Sequence, residues 1–444
     1  MTDRYLRPDV LAKPEIQQAQ SVGHDCSELL AKLAKLPSDG LTDQQCGEAE
    51  RIYNDALALG YPAGYRYLEP STLTEIRRER PSPSDLHGHD LPEEALRDRI
   101  GGGWVGRAAG CLLGKPVEGW SRRRIRDVLQ TVNAYPLDDY FPEIPADEDS
   151  GFHGTVKSWT RGNIDRAPRD DDTDYTILGL TLLEQHGAQF TTEQVGNAWL
   201  ELLPFRKTYT AERMAYHNLV NGLGPPKTAV HLNPYREWIG AQIRADAFGY
   251  CSPGLPETAA ELAFRDAALS HVANGIYGEM WVAAMLAGAF VCDDVQQVIE
   301  IGLGEIPRHC RLAEAVRNTI TWCRNEANWE SVRDKIEAEY GSLHPVHTIN
   351  NACLVTLGLM KSDGNFERGI GIAVMGGWDT DCNGATAGSV LGVMTGAQKL
   401  PPKWTDPLND TLESAIFGFA TNSIAALAER TLAVSRTVAA VFGQ

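Results

Sequence analysis

The stretch Gly101-Gly-Gly-Trp-Val-Gly-Arg-Ala-Ala-Gly-Cys-Leu-Leu-Gly114 decides the fold, because from Gly102 onward it carries glycine at every fourth position. A second stretch has the same spacing, with glycine at positions 384, 388, 392 and 396. On a helix each set forms one stripe without side chains, and each glycine costs about 0.5–1 kcal/mol relative to alanine. Close approach between helix backbones is the physical candidate that offsets this cost. The stripes therefore predict either ordinary core packing or, more specifically, two central helices that bring flanking acidic residues into one site.

The rest of the chain is also predicted to be mainly helical. Apolar residues recur three and four positions apart in most segments, whereas the period-two pattern of strands is scarce. The predicted helices are Glu93–Leu113, Tyr175–His186, Glu193–Leu203, Pro256–Val291, Val295–Ile301, Arg311–Asn325, Asn328–Tyr340 and Ala385–Thr395. The fold class is therefore all-α. Segments 121–170 and 204–256 are predicted as long loops, and their length suggests functional surfaces.

The first 95 residues are predicted to form a helical, polar N-terminal extension. Candidate helices lie at Cys26–Leu36 and Thr42–Leu59. The turn-forming residues of Arg80-Pro-Ser-Pro-Ser-Asp-Leu-His-Gly-His-Asp90 then mark a linker or loop. The chain is thereby divided into an extension with its linker, residues 1–95, and a main domain, residues 96–444.

Composition excludes several classes of partner. The 444 residues include 41 Lys and Arg against 59 Asp and Glu, a formal net charge of −18. Such a chain repels nucleic-acid phosphates and anionic lipid headgroups, so neither a nucleic acid nor a membrane is expected as a partner. No apolar run has the length of a signal peptide or a membrane span, which predicts a cytoplasmic protein. Nine cysteines without a C-x-x-C pair do not form a disulfide framework.

The first of two acidic clusters is Asp170-Asp-Asp-Thr-Asp174, which stands directly before a predicted helix. Consecutive carboxylates repel each other unless a cation or solvent relieves the charge. Helix capping is the structural alternative, because Asp is favoured at the N-cap and in the first turn. Capping explains one aspartate better than three in a row.

The second acidic cluster is Gly376-Gly-Trp-Asp-Thr-Asp-Cys-Asn-Gly384, which again precedes a helix. Its glycines allow a tight turn, and the Asp379 and Asp381 carboxylates can then point to one side. Mg²⁺ and Ca²⁺ prefer such hard oxygen ligands, whereas no His or Cys pair has the spacing of a zinc site. A two-cluster metal site and solvated helix caps both remain open at this point.

Three stretches, in this order, resemble the ADP-ribosylglycohydrolase family. Gly106-Arg-Ala-Ala-Gly-Cys-Leu-Leu-Gly-Lys-Pro-Val-Glu118 resembles the family's first helix and the acidic residue after it. Asp170-Asp-Asp-Thr173 resembles its Thr-Asp-Asp-Thr motif, and Gly377-Trp-Asp-Thr-Asp381 resembles its Gly-Asp-Thr-Asp-Thr motif. The resemblance covers roughly residues 98 to 400. It implies a compact orthogonal helical bundle as the catalytic domain.

The resemblance also implies a cofactor, because in that family the two aspartate motifs bind a pair of Mg²⁺ ions. The matching metal ligands here are Asp171 and Asp172 from the first motif and Asp379 and Asp381 from the second. Two positions depart from the family. Asp170 replaces a ligand threonine and is expected to bind metal through its carboxylate. Cys382 replaces a second one, and a thiol is a poor ligand for Mg²⁺, which alters the occupancy or geometry expected for one ion.

Two further stretches fit the family's substrate-binding segments. Ile239-Gly-Ala-Gln-Ile-Arg244 resembles a loop near the substrate diphosphate, and Ser270-His-Val-Ala-Asn-Gly-Ile-Tyr-Gly278 resembles a segment that lines the cleft. The implied substrate-binding residues are Gly240, Arg244, His271 and Tyr277. Without the resemblance, a structural histidine and a surface ion pair would be the simpler interpretations of His271 and Arg244.

The function implied is Mg²⁺-dependent hydrolysis of the N-glycosidic bond of an ADP-ribosylated substrate. Glu118, Asp172 and Asp379 are the expected catalytic residues, Glu118 as a movable carboxylate that contacts the ribose or assists proton transfer. The partner is then an ADP-ribosyl or ribosyl substrate, protein-linked or small. Three alternatives stay open: a hydrolase of a small N-riboside or nucleotide metabolite, a catalytically silent binding or structural protein, and a metal-dependent phosphatase.

Overall fold

The computed structural model of the chain describes residues 4–37, 40–81, 86, 91–146 and 154–442. Of the predicted linker Arg80–Asp90, eight residues lie outside the described ranges. The regular secondary structure of the described part is almost entirely helical, as predicted, and includes one small antiparallel hairpin. None of the helices in the described ranges has the length and apolar character needed to span a bilayer.

The α-helices are α1 (Pro8–Ser21), α2 (Ser27–Leu33), α3 (Asp43–Leu57), α4 (Leu73–Glu79), α5 (Glu93–Gly114), α6 (Arg122–Thr131), α7 (Asp171–His186), α8 (Thr192–Leu202), α9 (Thr210–Val220), α10 (Lys227–Val230), α11 (Asp246–Tyr250), α12 (Pro256–Ala267), α13 (Asn274–Ala289), α14 (Val295–Gly304), α15 (Arg311–Asn325), α16 (Trp329–Tyr340), α17 (Thr348–Lys361), α18 (Phe366–Met375), α19 (Thr380–Thr395), α20 (Pro402–Thr405) and α21 (Ile424–Phe442). Short 3₁₀ turns lie at Arg4–Leu6, Lys115–Val117, Lys157–Trp159, Gly187–Gln189, Phe205–Lys207, Gln242–Arg244, Ala397–Lys399 and Asp406–Leu408. Strands β1 (Thr411–Glu413) and β2 (Thr421–Ser423) pair with Leu412 opposite Asn422.

The glycine stripes pack α5 directly against α19. A methyl group at Gly102, Gly106 or Gly110 would overlap a carbonyl oxygen of the partner stripe, at Gly392, Gly388 and Gly384 in turn. At the end of α5 the carbonyl of Thr380 takes the corresponding place against Gly114. Gly396 does not extend the stripe, because it ends α19 with a φ of +80° and packs against Asp98. The two helices therefore approach backbone to backbone at the centre of the fold.

Three sequence predictions about secondary structure are wrong. Segment 121–170 contains α6, and segment 204–256 contains α9, α10 and α11, so neither is a continuous loop. In α6 only Ile125 and Leu129 are buried among charged residues, so its apolar period is weak in the sequence. The predicted helix Pro256–Val291 is two helices, α12 and α13. Ala273, with a φ of +44°, interrupts the helical backbone directly before α13.

The N-terminal extension packs onto the main domain through a small hydrophobic core that the two share. Leu11 and Ile16 of α1 pack with Ile52 of α3 against Met214 and Trp238 of the main domain. Polar contacts extend the attachment: Glu15 and Glu69 pair with Arg236 and Arg311, and the Tyr277 hydroxyl donates to the Pro70 carbonyl. These contacts place α1 beside α9 and the segment that leads to Trp238.

Candidate functional site

The two acidic clusters line one pocket. Its volume is about 410 Å³, and it lies where helices α7 and α19 begin. The acidic residues on its wall are Glu118, Asp170, Asp171, Asp172, Glu212, Asp379 and Asp381. Gly240 also lines it. The pocket lining thus contains every residue predicted as a metal ligand or catalytic residue, and one of the four predicted substrate-binding residues, although Asp171 belongs to none of the candidate ligand groups.

The central helix pair is what brings the clusters together. Because α5 and α19 touch along their glycine stripes, the last turn of α5 lies beside the first turn of α19. The Thr380 hydroxyl donates a hydrogen bond of 2.8 Å to the Gly114 carbonyl at this point. Lys115 and Glu118 follow directly and enter the pocket wall beside Asp379 and Asp381.

The first cluster is organised around the N-cap of α7. Asp170 is the cap residue, and its carboxylate accepts a hydrogen bond of 3.1 Å from the backbone N–H of Asp172. Burial raises the pKa of Asp170, but the contacting Lys115 ammonium outweighs it, so the pKa lies below its ordinary value. Asp174 points elsewhere and pairs with Arg169 at 2.7 Å. Helix capping therefore accounts for Asp170, while Asp171 and Asp172 need another explanation.

Asp172 lies between a cation and a thiol. Its Oδ1 atom is 3.3 Å from Nη2 of the buried Arg107, and its Oδ2 atom accepts a hydrogen bond of 3.2 Å from the Cys382 thiol. Burial raises the pKa of Asp172 to about 8, with Arg107 acting in the opposite direction and Asp170 and Asp379 adding to the rise. The protonated form of Asp172 is thus favoured near neutral pH unless a further cation binds beside it.

The second cluster is shaped by a strained turn. Gly377 and Trp378 both have positive φ, +81° and +65°, and the Trp378 ring is held by the Arg333 guanidinium 4.0 Å from its centroid. Left-handed backbone is costly for a non-glycine residue and is found mainly where the surroundings enforce it. Here the turn leads directly into α19, and Asp379 is the N-cap residue of that helix.

Glu118 reaches this turn through backbone hydrogen bonds. The N–H of Gly119 donates to the Trp378 carbonyl at 2.8 Å, and the N–H of Trp378 donates to the Trp120 carbonyl at 2.9 Å. Burial of the Glu118 carboxyl, together with the charges of Asp379 and Asp170, raises its pKa to about 7. The two backbone hydrogen bonds thereby hold the segment after Glu118 against the turn that precedes Asp379.

The ligand atoms form three overlapping groups, each with all atoms within 4.8 Å of one another among the described residues. The groups are Cys111 with Asp170 and Asp172, Asp172 with Asp381 and Cys382, and Glu118 with Asp379 and Asp381. Asp381 belongs to two of them, and its buried Oδ1 atom has no hydrogen-bond partner in the described part of the chain. An orphaned carboxylate oxygen beside other carboxylates fits a divalent cation such as Mg²⁺.

Arg244, His271 and Tyr277 do not line this pocket. Arg244 is 1% exposed and forms an ion pair of 2.7 Å with Glu212, besides contacts with Asp266 and Glu279. His271 is buried, with Nδ1 2.8 Å from the Ser270 hydroxyl, and burial lowers its pKa well below the ordinary value. Tyr277 binds the Pro70 carbonyl of the extension. Arg244 reaches the pocket only through Glu212, which lines it next to Gly240.

The sequence analysis did not predict several residues of the site. Arg107 and Lys115 bind the first cluster, and the signal that could have revealed them is a lone charge in a glycine-rich apolar helix. Asn351 accepts from the backbone N–H of Asp379 at 3.3 Å and from the Asn383 amide at 2.8 Å. Tyr5 of the extension lines the pocket as well. Nothing in the sequence near Asn351 or Tyr5 indicates these contacts.

Comparison with known proteins agrees with the motifs. A family model described as ADP-ribosylglycohydrolase matches residues 92–440. An uncharacterized protein of Archaeoglobus fulgidus is 26% identical over 326 residues, which cover 72% of this chain and 92% of that protein. A solved structure described as an ADP-ribosylglycohydrolase-related protein complex aligns with a TM-score of 0.49 and 19% identity, covering 78% of this chain and 99% of that one. Because the family model spans most of the sequence and both acidic clusters, this chain belongs to the ADP-ribosylglycohydrolase family.

Proposed function

We propose that this chain hydrolyses the N-glycosidic bond of an ADP-ribosylated substrate in the carboxylate pocket, with Mg²⁺ as its metal. The family implies glycosyl hydrolysis and is metal-dependent, which leaves the substrate and the ion to be assigned. The observation that carries the assignment is Asp381, whose unpartnered buried oxygen belongs to two ligand groups at once. The proposed ligands are Asp170, Asp171, Asp172, Asp379 and Asp381.

The metal would be held by the carboxylates of both clusters, and when bound it polarises the ribose hydroxyls and a water molecule. Two ions are proposed because the group of Asp170 and Asp172 shares no residue with the group of Asp379 and Asp381. The Asp170 carboxylate already has two protein partners, since Lys115 and the Asp172 N–H both bind it.

The carboxylates also suit the reaction itself. Cleavage of a glycosidic bond passes through a transition state with positive charge on the ribose ring, which fixed anionic groups stabilise. Asp172 and Asp379 are held in place for this by Arg107 and Asn351. Glu118, with a pKa of about 7, is able to hold a proton or to accept one near neutral pH. We assign it proton transfer at the ribose or the attacking water.

The test is the double variant Asp379→Asn with Asp381→Asn, compared with the surface variant Asp293→Asn. Mg²⁺ binding is measured by calorimetry, and turnover is measured with ADP-ribosyl-arginine and ADP-ribosyl-serine peptides. We expect the double variant to lose both, without a fall in the metal-free unfolding temperature, because it removes repelling charges. The side chain of Asp293 is 96% exposed, so its variant should retain both. Turnover that persists in the double variant or in EDTA would refute the proposal, and Mg²⁺ binding without any turnover would indicate a silent binding protein.

A second candidate keeps the chemistry and changes the substrate to a small N-riboside or nucleotide metabolite. The observation that favours it is Tyr5, an aromatic residue of the N-terminal extension in the pocket wall. Adding small ribosides to the substrate panel separates the two candidates.

A further inference from the structure

The N-terminal extension is part of the pocket. The family match begins at residue 92, yet Tyr5 lines the same pocket as Asp170 and Asp381. An element outside the matched region therefore shapes the space in which the substrate must lie.

Buried polar contacts attach the extension beside the pocket. The Glu15 carboxylate on α1 receives two hydrogen bonds from the Arg236 guanidinium, at 2.7 and 2.8 Å, and Glu15 is only 1% exposed. Two parallel bonds of this kind fix orientation as well as distance. Gln18, one turn further along, contacts the Glu237 carboxylate. Together with the apolar contacts of α1 against Trp238, these bonds position α1, which directly follows the turn that carries Tyr5.

Tyr5 is one of three aromatic residues in the pocket lining, with Tyr209 and Trp238, and we call these three the aromatic wall. The Tyr5 ring meets Tyr235 edge to face at 6.1 Å. Trp238 stacks on His344, with ring centroids 4.0 Å apart and an angle of 13°. The phenol of Tyr209 accepts a hydrogen bond of 3.4 Å from Arg169. Each ring thus contacts a neighbour that is not itself a proposed metal ligand.

A pocket lined by both carboxylates and aromatic rings fits a ligand that carries two different groups. The carboxylates suit a ribose diol through a bound cation, whereas aromatic rings suit a flat heteroaromatic group, which stacks on them. A volume of about 410 Å³ lies in the range of small-molecule sites. We propose that the aromatic wall binds a planar heteroaromatic ring of a ribosyl substrate, and that Tyr5 makes the N-terminal extension a determinant of substrate specificity.

This inference rests on the proposed function, since it assumes a ribosyl ligand at the carboxylates. Two parts of such a ligand carry a flat ring: a base attached at C1, which would be the leaving group, and the adenine of an ADP-ribosyl unit. The stacking chemistry is the same for both. Nicotinamide riboside carries only the first ring and ADP-ribose only the second, so these two probes distinguish them. Ribose 5-phosphate carries neither ring.

The experiment measures the affinity of the full-length protein for these three probes by calorimetry in Mg²⁺. The variants are Tyr5→Phe, which keeps the ring, and Tyr5→Leu, which keeps apolar volume without a ring. Tyr61→Ala is the control, because Tyr61 is an exposed aromatic residue of the extension that stacks on Tyr65 outside this pocket. Thermal unfolding of each variant checks that the extension stays folded.

We expect Tyr5→Leu to weaken binding of at least one ring-bearing probe by about tenfold, while Tyr5→Phe and the control stay within about twofold of the unmodified protein. Binding of ribose 5-phosphate should stay within about twofold in every variant. The probe that loses affinity identifies which ring the wall binds. Equal affinity of Tyr5→Leu and the unmodified protein for both ring-bearing probes would overturn the inference alone. Failure of the unmodified protein to bind any of the three probes would overturn the proposed function and this inference with it.

Discussion

Arg107 holds Asp172 from behind the pocket. Its Nη2 atom donates to the Asp172 carbonyl oxygen at 2.7 Å and lies 3.3 Å from the carboxylate, while Nη1 forms an ion pair of 2.8 Å with Asp246. Arg107 and Asp246 are both fully buried. One guanidinium therefore compensates two buried acids, one at the site and one in the core.

Arg107→Met should destabilise the protein strongly, because it leaves Asp172 and Asp246 buried without their cation. Breaking a buried pair in this way costs about 3–5 kcal/mol. Urea unfolding of the metal-free protein measures the change. Arg97→Met is the control: Arg97 pairs with Glu93 and Glu429 on the surface, where such pairs contribute about 0–1 kcal/mol. Equal losses in the two variants would show that Arg107 does not compensate the buried acids.

Gly106→Ala should destabilise the protein although alanine favours helices. A methyl group at Gly106 would overlap the Gly388 carbonyl on α19, and such overpacking costs about 1–3 kcal/mol. Gly47→Ala in α3 is the matched control, because Gly47 is also inside a helix but has nothing within 4 Å of the added carbon. That variant should gain about 0.5–1 kcal/mol. Thermal unfolding of both decides the point, and a gain at Gly106 would contradict the backbone-to-backbone packing of α5 and α19.

The sequence reveals those parts of this molecule that depend on local patterns. The four-residue spacing of Gly102 and Gly106 predicts a helix that packs closely against another helix. The two aspartate clusters lie at the starts of α7 and α19. Helix α1 was not predicted, because Pro14 lies inside it and proline normally disfavours a helix interior. Helix α17 was not predicted for a different reason. Nearly all its residues are buried, so its sequence lacks the polar face that would show a helical period of hydrophobicity.

The site was less predictable wherever it depends on contacts between distant residues. Asn351 and Asp379 are 28 positions apart, and Tyr5 is separated from Asp170 by more than a third of the chain. Arg244 shows the reverse case. It occurs in the expected motif, but the acids Glu212, Asp266 and Glu279 surround it in the core, and these come from three separate helices. The order of residues along the chain does not show which acidic side chain will contact which basic one.

The stabilisation of the protein by Mg²⁺ should increase with pH. The pKa values of Glu118 and Asp172 are raised to about 7 and about 8, from about 4 in the unfolded chain. The folded metal-free protein therefore binds more protons than the unfolded one, and these groups reduce its stability as pH rises through that interval. Bound metal displaces the protons, so its affinity rises over the same interval.

The measurement is the unfolding temperature with and without saturating Mg²⁺ at pH 5 and pH 8. The quantity compared between the two pH values is the increase in unfolding temperature on adding Mg²⁺. The unfolding temperature alone is not compared, because buried histidines such as His347, whose pKa is lowered to about 3, change the stability of the metal-free and the metal-bound protein with pH. We expect the larger difference at pH 8 and no difference at either pH in the Asp379→Asn, Asp381→Asn variant. A larger difference at pH 5 would show that these carboxylates do not bind the ion.

Cys382→Thr should tighten Mg²⁺ binding. The Cys382 thiol shares a ligand group with Asp172 and Asp381, and it donates a hydrogen bond of 3.2 Å to Asp172, so a threonine hydroxyl would stand in the same place. Oxygen is a better ligand than sulfur for Mg²⁺, and we expect calorimetry to show a gain of about threefold to tenfold in affinity. Cys46→Thr, on the extension and remote from the ligand groups, should leave the affinity unchanged. Weaker Mg²⁺ binding in Cys382→Thr would mean that the thiol itself supports the metal, and the site would then be expected to prefer a softer ion than Mg²⁺.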